Sequence, residues 1–181
     1  MPSASLRTLA RHLDVPERTL RRAATEGLIR GRRTSPRRFE TSLREEAYLR
    51  RQWPLLRELR AALRTEPNVR LAVLFGSQAT GQGSERSDVD VLVVLNDPSA
   101  TRVAELSGRL ERRLGRDVQL VRLEEAERAP SLMVDVLEHG RVLVDRDGRW
   151  SRLRSSASRW RRRAAAAELP LDQAMPDLHL S

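Results

Sequence analysis

The sequence predicts a protein of the α/β (α+β) fold class that begins with a small helical module. Within the first 30 residues, two short stretches repeat apolar residues at helical spacing and are separated by a turn. In the middle of the chain lie two nearly all-apolar runs of strand length, LAVLF and VLVVL. Amphipathic helical patterns alternate with short strand patterns after them, as in folds that layer helices on a sheet.

The N-terminal pattern predicts two short helices and a hairpin. The first helix ends at the sequence DVP, and Pro16 suits the first turn of the second helix, which ends at Gly27. The following IRGRRTSPRRFE predicts a hairpin with Ser35 and Pro36 near its tip. The residues expected in the core of this module are Leu6, Leu9, Ala10, Leu13, Leu20 and Ala23.

The stretch LARHLDVPERTLRRAATEGLI resembles the helix-turn-helix of the MerR and excisionase-like families. This resemblance implies a winged helix-turn-helix over residues 1–40 that places its second helix in the DNA major groove. A homodimer is then expected, because one small module makes few phosphate contacts. The alternative is a packing module whose arginines are only solvated. The residues expected at DNA are Arg18, Arg21, Arg22, Arg32 and Arg33.

Composition narrows the function classes. The chain has 181 residues and no cysteine, which excludes disulfides, thiolate chemistry and cysteine zinc sites. Neither a membrane-spanning apolar run nor the apolar centre of a signal peptide is present, so we expect a cytoplasmic protein. The formal net charge is +9, distributed as +9 over residues 1–70, −3 over 71–150 and +3 over 151–181. A basic end joined to an acidic middle suggests two functions in one chain.

Residues 41–64 are expected to form connecting helices, with Pro54 dividing or kinking them. The apolar stripe that should pack on the next domain consists of Leu55, Leu56, Leu59, Ala62 and Leu63. For residues 151–181 we expect a basic helix and then a flexible tail. Trp150, just before this segment, and Trp160 within it are expected to be partly buried.

The sequence LFGSQATGQGSERSDVDVLVV contains the strongest chemical signal. Asp88 and Asp90 are two apart on an expected strand, so their side chains project to one face. Two carboxylates this close repel unless a cation lies between them, and Mg²⁺ is held by one or two carboxylates together with substrate phosphates. Gly76 permits a tight turn after the preceding strand, and Ser77 can then approach a phosphate.

This motif resembles the DNA polymerase β nucleotidyltransferase superfamily, and most closely its minimal nucleotidyltransferases, which include the antitoxin partners of HEPN toxins. Gly76 and Ser77 are followed by ten residues and then by Asp88, Val89 and Asp90, and the resemblance continues over about residues 55–150. It implies a polymerase-β-type domain over residues 65–150, with a small mixed sheet flanked by helices.

The resemblance also implies an activity, the transfer of an NMP from an NTP, with ATP favoured, to an acceptor hydroxyl. Two Mg²⁺ ions on Asp88 and Asp90 would bridge the triphosphate that Gly76 and Ser77 position, and a HEPN-type toxin would be the protein partner. The family's third carboxylate falls on the third strand, where this sequence has Gln119. Asp117, two residues earlier, would orient or deprotonate the acceptor if the register shifts.

Two alternatives remain at this point. Gln119, and Gln78 in place of an arginine common after the Gly-Ser pair, favour a DNA-binding regulator with a degenerate nucleotidyltransferase domain. The intact ten-residue spacing favours an active enzyme, whose acceptor is either a protein hydroxyl or a tRNA or aminoglycoside.

Overall fold

The computed structural model describes residues 3–35 and 38–168, which form one three-stranded and one four-stranded sheet with helices around them. In chain order the elements are β1 (Ser3–Ser5), α1 (Leu6–Leu13), α2 (Glu17–Thr25), β2 (Arg32–Ser35), β3 (Arg38–Ser42), α3 (Leu43–Arg64), β4 (Val69–Phe75), α4 (Gly76–Thr80), β5 (Val89–Leu95), α5 (Ala100–Leu114), β6 (Val118–Arg122), α6 (Leu123–Ala126), α7 (Pro130–His139), β7 (Arg141–Asp145), α8 (Arg149–Ser155) and α9 (Ala157–Glu168).

The N-terminal module contains the two predicted helices and the hairpin. The Ser5 hydroxyl caps α1 by accepting a hydrogen bond from the Thr8 amide at 3.2 Å. The predicted core residues of α1 and α2 are buried, except Leu13, which is partly buried. Strands β2 and β3 pair antiparallel, and β1 pairs with the other edge of β3. Pro36, predicted near the hairpin tip, lies outside the described residues.

Helix α3 corrects the prediction that Pro54 divides the segment, because it runs unbroken from Leu43 to Arg64. Pro54 is exposed, so its ring and the carbonyl that it leaves without a donor lie on the solvent side of the helix. Apolar side chains on the opposite side stay buried on both sides of the proline, among them Leu49, Trp53 and Leu56. Burial of this stripe outweighs the loss of one hydrogen bond.

The four-stranded sheet has the order β6-β5-β4-β7 and is mixed, as predicted. Strands β4 and β5 pair antiparallel, whereas β5 and β6 pair parallel through the crossover helix α5. Strand β4 begins at Val69, two residues before the predicted start, and β5 begins only at Val89. Asp88 therefore precedes its strand and is exposed, which corrects its expected place on a buried strand.

Buried side chains cover both faces of this sheet. On one face, a single cluster joins the N-terminal module and α3 to β4 and β5, so the two share one core. On the other face, α7 and the C-terminal helices contribute Met133, Trp150 and Trp160. The predicted single basic helix is instead α8 and α9, and the predicted tail lies outside the described residues.

Among the residues that the structure describes, no helix has the length and apolarity that crossing a membrane requires.

Candidate active site

The Gly-Ser pair and the two aspartates, separate in sequence, meet at one end of β4 and β5. Phe75, the last residue of β4, pairs with Asp90 near the start of β5, so Gly76 follows directly beside Asp90. The intervening loop folds back over α4, because the amides of Gly81, Gln82 and Gly83 each approach the Ser77 carbonyl at 3.0 Å. The ten residues between Ser77 and Asp88 therefore form most of the short helix α4 and the loop that folds back against it.

Gly76 is required by both its backbone and its neighbour. Its φ is +69°, a left-handed conformation that side chains disfavour. A Cβ atom at this position would lie 2.5 Å from the Oδ2 atom of Asp90, well inside van der Waals contact. Any other residue would therefore displace the carboxylate on which the site depends.

Asp88 and Asp90 are left unneutralised. In a chain with 34 arginines, no hydrogen bond or ion pair reaches either carboxylate within the described residues. Burial raises the pKa of Asp90 above its usual range, and the charges of Asp88 and Asp135 raise it further. The site is an uncompensated pair of hard oxygen ligands, which fits a cation.

This donor set can be compared with the needs of Mg²⁺. No group of three or more His, Cys, Asp or Glu side chains suited to a metal occurs in the described part of the chain. Mg²⁺ is commonly bound by one or two carboxylates, with water and substrate phosphates completing its six ligands. Asp88 and Asp90 fit that mode of binding, in which the nucleotide supplies the remaining ligands.

Gln78, which replaces an arginine of the family pattern, holds the loop in place. Its side chain is fully buried, and Nε2 donates to the Ser84 carbonyl at 2.7 Å and to the Ser87 carbonyl at 3.3 Å. Ser87 precedes Asp88, so Gln78 helps to fix the first aspartate. Gly83 packs against Gln78 so closely that an added Cβ would lie 2.7 Å from Nε2.

The third-carboxylate position is neutral. Strand β6 pairs with β5 so that Gln119 lies beside Asp90, and the register shift that would bring Asp117 there does not occur. Asp117 precedes β6 and is exposed, and its carbonyl accepts a hydrogen bond from Val89 at 3.0 Å. Asp117 thus lies at the same end of the sheet as Asp88, one residue before β6 begins.

Sequence reasoning missed Asp135. This residue lies on α7, and after burial and the charge of Asp88 its own charge contributes to the raised pKa of Asp90. The sequence signal that could have indicated Asp135 is a single acid inside the otherwise apolar segment LMVDVL. This segment is helical, so a motif defined on two strands does not include it.

Sequence reasoning also missed a buried ion pair behind the site. The Arg141 guanidinium contacts both Glu45 carboxylate oxygens, at 2.6 and 2.9 Å, and donates to the carbonyls of Ala79 in α4 and Leu28 in the N-terminal module, at 2.8 and 3.1 Å. It stacks over the Tyr48 ring at 3.5 Å, and the Tyr48 hydroxyl donates to the Gln78 carbonyl at 3.1 Å. Burial raises the pKa of Tyr48 to about 12.

The predicted DNA-contacting arginines occupy two elements. Arg18, Arg21 and Arg22 are exposed on α2, where Arg21 pairs with Glu17 at 2.6 Å and Arg22 with Glu26 at 2.8 Å, and the other two, Arg32 and Arg33, are exposed on β2.

Comparison with known proteins identifies the middle of the chain. Residues 57–149 match the family model described as "Polymerase beta, Nucleotidyltransferase". A protein of Methanocaldococcus jannaschii, provisionally named a protein adenylyltransferase, is 36% identical over 70 residues, which cover 37% of this chain and 70% of that protein.

Solved structures agree in fold. A chain of a toxin–antitoxin crystal structure with AMP-PNP has a TM-score of 0.53 at 26% identity, covering 67% of this chain and 98% of its own length. A chain from the complex of tri-AMPylated Shewanella oneidensis HEPN toxin with MNT antitoxin has a TM-score of 0.51 at 24% identity, covering 69% and 99%. At that identity the second likeness concerns the fold alone.

Proposed function

Because the chain belongs to the polymerase beta nucleotidyltransferase family, we propose that it transfers an NMP from an NTP, with ATP preferred, to an acceptor hydroxyl and releases pyrophosphate. The observation that supports this most strongly is the pair Asp88 and Asp90, which stays without a cationic partner in an arginine-rich chain. A structural carboxylate pair would gain stability from an arginine, whereas a metal–nucleotide site must keep its ligands free.

Each site residue has a defined task in this proposal. Asp88 and Asp90 hold Mg²⁺, which when bound neutralises charge on the phosphates. Gly76 leaves room for the Asp90 carboxylate, and Ser77, in the first turn of α4, would bind the phosphates. Gln78 and Arg141 keep α4 and its loop in position through the hydrogen bonds described above. Positioning of this kind supplies much of the rate in phosphoryl-transfer enzymes.

The proposed acceptor is a hydroxyl on a partner protein, of the HEPN toxin class. Two findings support a protein acceptor and a toxin partner. The Methanocaldococcus jannaschii relative is provisionally named a protein adenylyltransferase, and the structure with AMP-PNP is of a toxin–antitoxin. Tyrosine and serine hydroxyls need no further activation than deprotonation, and Asp117 or Asp135 lies at the correct end of the sheet for that role.

Transfer is tested with NTPs labelled at the α-phosphate. The purified chain is incubated with Mg²⁺, one of four labelled NTPs and a purified HEPN-class toxin protein, and label on the toxin protein is measured. We expect label from ATP, and its loss in Asp90→Asn. Asp147→Asn is the matched control, since that aspartate is ion-paired with Arg70 and Arg149, away from the motif. Labelling that persists undiminished in Asp90→Asn would exclude this site.

A second candidate function is supported by Gln119. A neutral side chain beside Asp90 gives a metal one carboxylate fewer than the family pattern supplies. A chain that binds nucleotide without transferring it would then act as a sensor, with the N-terminal module as its DNA-binding output. Gln119→Asp separates the two candidates, because it would create activity in a degenerate site and change an active one only modestly.

DNA binding by the N-terminal module is part of both candidates. The exposed arginines of α2 support it, and a dimer would place two such helices on successive half-sites. An electrophoretic mobility assay with the promoter of its own gene tests this, and Arg18→Gln is expected to weaken binding. Equal retardation of promoter and unrelated DNA at every salt concentration would contradict specific recognition.

A further inference from the structure

A large cleft lies between the N-terminal module and the nucleotidyltransferase domain. Its volume is about 780 Å³, within the range typical of small-molecule sites. One wall is formed by residues 30–32 and by residues 40–42, 44 and 45, at the junction of β3 and α3. The opposite wall contains Thr80 and Gln82, beside the Gly-Ser turn, and Asp135 and His139 of α7. The N-terminal wall lies outside the matched family region, residues 57–149.

Two of the three acids that line the cleft, all but Asp135, have cationic partners among the described residues. Glu45 is paired with Arg141, and Glu40 is paired with Arg38 at 2.8 Å. Arg32 and Arg44, in contrast, are exposed on the N-terminal wall. Their side chains make no hydrogen bond or ion pair in the described part of the chain. The wall thus presents two free guanidinium groups to the cleft.

Positive charge is crowded at this wall. Arg30 is half-buried and donates a hydrogen bond to the His139 carbonyl on the opposite side. Burial lowers the pKa of Arg30, the charges of Arg141 and Arg44 lower it further, and Glu45 opposes them. An anion in the cleft would relieve this repulsion.

The cleft also adjoins the aspartate motif. Asp135, which lines it, is the α7 residue whose charge reaches Asp90. A molecule of nucleotide size that contacts the N-terminal wall therefore extends towards the reacting end of the sheet.

We propose that this cleft binds a phosphorylated small molecule of nucleotide size and that Arg32 and Arg44 donate hydrogen bonds to its phosphate. Guanidinium groups match phosphate geometry and stay charged at all relevant pH values. The phosphate belongs either to the donor nucleotide or to a separate phosphorylated acceptor or effector. The first source rests on the proposed function, whereas the second does not. In both cases Arg32 serves the cleft rather than DNA.

The test compares two double variants by isothermal titration calorimetry. Arg32→Gln/Arg44→Gln removes the proposed phosphate contacts, and Arg57→Gln/Arg112→Gln removes two exposed arginines elsewhere as a control of equal charge. The probes are AMP-PNP with Mg²⁺ and inorganic pyrophosphate without it. We expect the first variant to lose at least about tenfold in affinity for one probe or both, while the control binds like the wild type. Neither variant removes a buried contact, so unchanged melting temperatures verify folding.

Asp88→Asn/Asp90→Asn distinguishes the two sources. If the arginines bind the donor, AMP-PNP affinity falls in both the aspartate and the arginine variants. If they bind a second molecule, pyrophosphate affinity falls only in the arginine variant and persists in the aspartate variant. The proposal is overturned if the arginine variant binds both probes like the wild type, or if the wild type binds neither. If a variant loses only the transfer activity and the binding of both probes is as expected, the result bears on the proposed function and not on the cleft.

Discussion

Carboxylates in two regions of this protein differ in whether an arginine neutralises them. Where the N-terminal module meets the rest of the chain, Glu26 contacts Arg60 and Arg64, and Glu45 is enclosed by Arg141. At the end of β4 and β5, Asp88 and Asp90 have no such partner among the described residues. Exposed acids elsewhere in the described ranges, such as Glu85 and Glu124, also lack an ion pair, but Asp90 is half-buried and lies close to a second carboxylate. The acids at the junction are neutralised by arginines, whereas the half-buried Asp90, beside the like charge of Asp88, is left without a cation in this part of the chain.

The largest stability effect is expected from breaking the buried pair. Arg141→Gln leaves the Glu45 carboxylate buried without its cation, and loss of one member of such a pair costs about 3–5 kcal/mol. Denaturant unfolding measures the change. The control Arg113→Gln breaks an exposed pair with Glu58 and should cost no more than about 1 kcal/mol. Similar costs for the two variants would show that the junction does not depend on this pair.

The next effect is expected at Gly76. Gly76→Ala places a Cβ in a left-handed conformation, at about 1–2 kcal/mol, and also against the Asp90 carboxylate. Gly115→Ala is a matched control, because its φ is +65° and nothing lies within 4 Å of an added Cβ. The difference between the two unfolding free energies isolates the collision with Asp90. Equal values would mean that the carboxylate moves away without cost.

A smaller loss is expected at Tyr48. Tyr48→Phe keeps the ring under Arg141 but removes the hydroxyl that donates to the Gln78 carbonyl, so the free energy of unfolding should fall by about 0.5–1.5 kcal/mol. Nucleotide affinity should fall with it, because Gln78 positions the loop. Tyr48→Leu, which also removes the stacking, should cost more; an equal cost would show that the stacking adds nothing.

The smallest effect has the opposite sign. The pKa of Asp90 is raised in the folded protein, so its ionisation opposes folding, and this destabilisation develops as the pH rises from about 4, the unfolded value, through the folded value. Asp90→Asn should therefore be slightly more stable than the wild type at neutral pH in the absence of metal, and equal to it below that range. Thermal unfolding between pH 3 and pH 8 measures this. A variant less stable at neutral pH would mean that the carboxylate has a partner.

Much of this organisation follows from the sequence. The Gly-Ser and Asp-x-Asp spacing, with its flanking apolar runs, resembles known nucleotidyltransferases, and that resemblance predicted the fold correctly. The resemblance also assigned Gln119 to the third-carboxylate position on the third strand, and the strand register sets this residue beside Asp90. The helix-turn-helix remains a prediction, although its helices and hairpin form where expected.

What the sequence did not reveal depends on contacts between distant segments. Arg141 and Glu45 are 96 positions apart, and neither stands out among so many charged residues. Asp135 approaches Asp90 only because α7 packs across the sheet. Pro54 was expected to divide its helix, but burial of the apolar stripe outweighed the local penalty.

The most direct test of the central claim is calorimetric titration of the wild type and of Asp88→Asn with ATP, CTP, GTP and UTP, with and without Mg²⁺. If the unpaired aspartates form a metal–nucleotide site, the wild type binds ATP most tightly, only with Mg²⁺, and Asp88→Asn does not bind it. Equal ATP affinity with and without Mg²⁺, or equal affinity in Asp88→Asn, would contradict the assignment of these carboxylates.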